Sequence, residues 1–205
     1  MKNLLPTIAL LLLVAITGYS VAPNGSNGKG EDASAPDKHS GTPVPNESLE
    51  AFNTMMKVLT HPRCVNCHPS DNVPKQGDDS HPHRFDITRA NAVGATNCNT
   101  CHQASNNDFS GVPGAPDWAL APHAMRWEGL SAVEIARSMM NRETNGNRSA
   151  EDIMHHLTEH ELVLWAWEPG VDANGTPREA PPVPKDEYIK AVKKWIDLGA
   201  IIPEE

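Results

Sequence analysis

Cysteine is scarce in this 205-residue chain, and all four copies fall in two short strings, Cys64-Val65-Asn66-Cys67-His68 and Cys98-Asn99-Thr100-Cys101-His102. None is left over for a disulfide framework or a thiol nucleophile. Aromatic residues make up only 5% of the chain, against 18 prolines, so the side chains that build a large core are in short supply. Basic residues are outnumbered, 17 against 26 acidic, for a formal charge of -9. That balance excludes the basic face needed for nucleic acid or for an anionic membrane surface. Long apolar runs are missing apart from Leu4 to Ile16, which falls short of the roughly 20 residues of a spanning helix. No alternating run reads as a strand, and no Ser-His-Asp or paired-carboxylate arrangement calls for hydrolytic chemistry.

What is present is the pattern C-x-x-C-H, twice. Two thiols three positions apart can each form a thioether with one haem vinyl group, and the next residue then lies under the iron. Histidine there offers an imidazole nitrogen as proximal ligand. The spacing predicts two covalently held c-type haems, attached through Cys64 and Cys67 and through Cys98 and Cys101, with His68 and His102 on the irons. A four-thiolate zinc knuckle is the competing use of paired C-x-x-C, but it needs no histidine after each second cysteine.

The N-terminus, a short basic start followed by the Leu4–Ile16 run, reads as a secretion signal over residues 1–20. If uncleaved, it is the chain's one route to a membrane. Residues 21–45 are rich in Gly, Ser, Asn, Pro and charge and read as a disordered linker. Residues 46–205 fit one domain. Loss of Lys2 with the signal takes the charge from -9 to -10. The predicted location is the periplasm or outside, and the predicted partner a redox protein with a basic docking face.

Within the domain the expected class is mainly α, with long Pro/Gly-rich loops around two haems. A helix is predicted over Asn46–Leu59, with Asn46 as N-cap and Leu49, Phe52, Met56 and Leu59 on one face. Another is predicted over Lys185–Leu198, with Tyr188, Ala191, Val192 and Trp195 as its stripe and Gly199 ending it. Between them, Ser131 and Glu134 form a capping box, with a Leu130–Ile135 staple, for a helix to about Asn141. Ser149 caps a further helix to about Trp165, with Ile153, His156, Leu157, His160 and Leu164 inward and His155 outward.

Each iron also has a second axial position. Of the ten histidines, eight lie outside the motifs: His39, His61, His81, His83, His123, His155, His156 and His160. His156 lies on an apolar helix face. His83 precedes Arg84, whose charge suits a haem propionate. Met125, in the Pro-containing loop Leu120–Trp127, offers a thioether that raises the potential relative to two imidazoles. The expected set is therefore Met125, His156 and His83, with one His/Met haem and one using a second histidine.

A helix just before C-x-x-C-H and an aromatic-striped C-terminal helix resemble the packed terminal helices of class I c-type cytochromes. Further strings extend the resemblance: His61-Pro62-Arg63 before the first motif, Gln76-Gly77-Asp78-Asp79, Pro113-Gly114-Ala115-Pro116, Leu120-Ala121-Pro122, Trp127-Glu128-Gly129-Leu130-Ser131 and Trp165-Ala166-Trp167-Glu168-Pro169-Gly170. Together they resemble bacterial dihaem cytochrome c-like proteins labelled as subunits of isoquinoline 1-oxidoreductase. The resemblance implies a cytochrome c-like fold, two haem c groups and electron exchange with an exported molybdenum hydroxylase. The chain itself carries no molybdopterin-binding feature. The sequence thus predicts an electron carrier rather than an enzyme. Two other classes stand beside it: a haem enzyme or sensor with one open iron, peroxidase-like, and a zinc-stabilised binding module.

Overall fold

A computed structural model describes residues 45–90 and 98–204. The expected signal, the linker up to residue 44, and His39 with it, lie outside the described residues. The described chain is mainly α and belongs to one compact unit, Thr42–Glu205.

Helix α1, Asn46–Leu59, starts one residue earlier than a capping Asn46 requires. Pro45 takes the cap position with an extended ψ of 136°, and its carbonyl accepts from Ser48 N and Leu49 N at 2.9 and 3.1 Å. Asn46 is instead the first helical residue and donates Nδ2 to Glu50 Oε1 at 2.6 Å. The buried face differs from the predicted stripe: Leu49 is only half-buried, while Ala51, Met55 and Val58 join Phe52, Met56 and Leu59. Thr60 closes the helix by donating its N–H and hydroxyl to Met56 O. His61 then caps a one-turn helix α2, Pro62–Val65, by accepting Arg63 N at 3.2 Å, with proline at the first position, where a missing N–H costs nothing. The first C-x-x-C-H string begins inside α2.

Helix α3, Ala132–Met140, has the predicted capping box. Leu130 stays 36% exposed and is a poor staple. The helix expected from Ser149 to Trp165 is broken. It runs as α4, Ala150–Glu159, stops at His160 with an extended ψ of 123°, and resumes as α5, Glu161–Leu164, and a 3-10 turn, Trp165–Trp167. Beyond the break the Trp165 indole donates to Asn106 Oδ1 and the Trp167 indole to Val183 O, both at 2.8 Å.

Helix α6, Lys185–Asp197, buries Tyr188, Ala191, Val192 and Trp195 as predicted, and the chain leaves it at Gly199 with φ +91°. It packs along α1, where Phe52 and Trp195 rings lie 6.2 Å apart. These two helices, α3 and α4 share one core. Cys64 borders it. A feature absent from the sequence reading is a small antiparallel ribbon of β1, Lys75–Gln76, and β2, His81–Pro82, paired Lys75 to Pro82 and Gln76 to His81.

Candidate cofactor sites

The first motif hangs from the end of α1 through α2, so its backbone is fixed by the core before any cofactor is considered. The loop 121–128 is laid along it. Ala121 N donates to Cys67 O at 3.0 Å, and Trp127 N and Glu128 N donate to His68 O at 2.8 and 3.2 Å. This places the Met125 carbonyl behind the imidazole, where it accepts from His68 Nδ1 at 2.5 Å. The Trp127 ring stacks on the same imidazole, 3.7 Å between centres and 9° from parallel. His68 is thus pinned as one tautomer, with Nδ1 protonated and Nε2 left as a lone-pair donor. A backbone carbonyl on the far nitrogen is the support that metal-bound imidazoles commonly have. Burial holds the His68 pKa down at about 4, so the ring is neutral and able to ligate at neutral pH.

The second motif repeats this arrangement with different partners. His102 Nδ1 donates to Pro113 O at 2.7 Å, and its ring stacks on Trp118 at 4.6 Å and 7°. Trp118 is met edge-on by Trp165 at 4.8 Å, and Trp165 is held by Asn106. Burial also lowers the His102 pKa.

A second imidazole accompanies each motif histidine. The His83 ring centre lies 6.0 Å from that of His102, and their planes cross at 66°. His83 Nδ1 is taken by the Arg84 carbonyl at 2.7 Å, again freeing Nε2. His156, half-buried on α4, is close enough to His68 to lower its proton affinity, and burial brings the pKa of His156 itself to about 4. Its ring lies 5.0 Å from that of His160, whose Nδ1 is buried without a partner.

The other histidines are placed elsewhere. His61 caps α2. His81 has both nitrogens engaged, Nδ1 with Asp79 and Nε2 with Gln76. His123 is exposed, and His155 is exposed and paired with Glu159 at 3.3 Å. Met125, expected as a second axial ligand, is buried, and its backbone carbonyl sits on the Nδ1 side of His68. The thioether lies in the core, 3.9 Å from Ser138 Oγ.

The donor set can be tested for fit. The Cys64 thiol is pushed up to about 12 and that of Cys67 to about 11, mainly by burial. Among the described residues no three His, Cys, Asp or Glu side chains converge as a closed metal site requires. Cys98 is near enough to Cys67 to raise its pKa further, so the two strings are neighbours. Trp127 Nε1 and Arg89 Nη2 are buried donors with no partner, and Arg89 is also near His68. Such donors are costly to leave unmade, and a haem brings two carboxylates that could accept them. The residues present fit the group.

Sequence reasoning located both motifs and the histidines beside them. It did not identify Trp127 and Trp118 as ring partners, nor the Met125 and Pro113 carbonyls. Backbone acceptors have no side-chain signature; only the lone tryptophans in loops offered a signal. Compared with models of known families, with curated proteins and with solved structures, the chain finds no match.

Proposed function

We propose that this chain is an exported electron carrier that holds two haem c groups, with a redox protein as partner. The observation that carries the reading is the repeated environment of His68 and His102. Each has Nδ1 on a backbone carbonyl, a tryptophan against its face and another histidine nearby. Ordinary core histidines do not need that environment twice, each time directly after C-x-x-C.

Cys64 and Cys67 would anchor one haem and Cys98 and Cys101 the other. His68 and His102 would be proximal ligands, with His156 and His83 opposite. Bound haem supplies a one-electron ferric/ferrous couple. The protein's own part is to hold each imidazole neutral and aimed, to exclude water from the first site, and to keep the two sites adjacent. The resemblance to dihaem subunits suggests electron exchange with an exported molybdenum hydroxylase, and the acidic charge suits a basic docking face. Export rests on the N-terminal signal; among the described residues no helix is long and apolar enough to cross a membrane.

The test is a visible spectrum of protein exported by a host with cytochrome c maturation, followed by stopped-flow reduction by a basic redox protein. Sharp reduced bands of low-spin haem at both sites and salt-slowed reduction support the carrier. Carbon monoxide binding to one reduced haem of the wild-type protein, with peroxide turnover, would move the assignment to an enzyme.

A further inference from the structure

The stretch between the motifs carries a second kind of information. Asn66, inside the first C-x-x-C, is buried to 7% exposure although its side chain is polar. Its Nδ2 donates to Gly77 O at 2.9 Å, and its own carbonyl accepts from Lys75 N at 3.3 Å. Arg63, buried just ahead of Cys64, forms an ion pair with Asp78. The first strand of the ribbon and its turn are therefore tied to the first motif, and the second strand is held through them. The turn is tight: Gly77 has φ +79°, and an added Cβ would meet Asp79 Oδ1 at 2.6 Å and His81 at 2.8 Å. Gln76 and Asp79 both bind His81 and lock the return strand. His83 N then donates to Pro74 O at 2.8 Å, and the next contact of His83 is the ring of His102.

We propose that this ribbon is a strut, clamped on the first motif by Asn66, that positions His83 against His102 at the second. It rests on the haem reading above. Asn66 is a positioning residue: it touches neither iron position, yet it fixes the register of the strand that delivers His83. A change inside the first attachment string is then felt at the second centre, while His68 keeps its own support from Met125 O and Trp127. The polarity of Asn66 fits this role, because a buried amide with a backbone partner specifies one register where an apolar residue would allow several.

The test uses the haem-loaded protein and carbon monoxide as probe of an open axial position. In the wild type neither reduced haem should bind it. His83→Ala should open one of the two haems. Asn66→Leu should keep both haems covalently attached and open the same one. The double variant should open no more than His83→Ala alone, because both changes break one chain of support. Asp78→Asn, at an exposed site on the same turn, is a second variant that spares the core and should raise carbon monoxide occupancy at that haem above the wild-type level. Removing the second attachment pair, Cys98→Ala with Cys101→Ala, should abolish the carbon monoxide signal of Asn66→Leu and so assign it to the second centre. Two covalent haems with no carbon monoxide binding in Asn66→Leu and Asp78→Asn would overturn the strut alone. Binding that persists without the second pair would do the same. A wild-type protein with no covalent haem would overturn both this and the haem reading.

Discussion

Cys64 lies against the α1–α6 core, and burial drives up the thiols of Cys64 and Cys67, while Cys101 and its neighbours Asn99 and Thr100 face solvent. Trp127, behind the first imidazole, is 4% exposed; Trp118, behind the second, is only half-buried. Phe85 and Phe109, in the loops flanking His83 and following His102, are 87% and 101% exposed. The same five-residue pattern is thus set once into a helical core and once into Pro/Gly-rich loops near the surface. The proximal support is alike in both, so the difference lies in what surrounds it. With haem bound as proposed, the buried site would suit a higher potential and the exposed one exchange with a partner.

The largest contrast should appear in stability. Trp127→Ala removes a buried ring from the core and should cost about 3–5 kcal/mol in denaturant unfolding. Trp118→Ala removes a ring that water already reaches in part, and should cost less than half as much. Equal losses would mean that the second centre is as integral to the fold as the first.

A smaller effect is expected on the potentials. Burial disfavours the extra charge of ferric iron, so the first centre should have the higher potential. The gap should be at least about 60 mV, a factor of ten for one electron. Redox titration of two single-haem variants, one lacking Cys64 and Cys67 and the other Cys98 and Cys101, measures each in turn. The reverse order would show that axial or propionate contacts, rather than burial, set the potentials.

How far the sequence could be read differs between the same two regions. The stripe of α6 and the capping box of α3 were legible because period and cap chemistry are local. The position of Asn46 was not, because Pro45 takes the cap position with no side-chain acceptor to mark it. The break at His160 was hidden because no proline or glycine marks it in the sequence. At the sites, His68 and His102 stand out by motif. His83 and His156 could be shortlisted as free imidazoles, but only the fold shows which motif histidine each approaches. Met125 stands out in sequence as a thioether in a proline loop, whereas the service of its backbone carbonyl to His68 has no sequence signature. The ribbon that brings His83 to His102 has two-residue strands, too short to show any alternation.

The measurement that bears most directly on the cofactor assignment is the mass of the denatured mature protein from a host with cytochrome c maturation. The expected result is the polypeptide plus two haems, falling to one haem when Cys64 and Cys67, or Cys98 and Cys101, are replaced by alanine. A denatured mass equal to the bare chain, with stoichiometric zinc in the native sample, would contradict it.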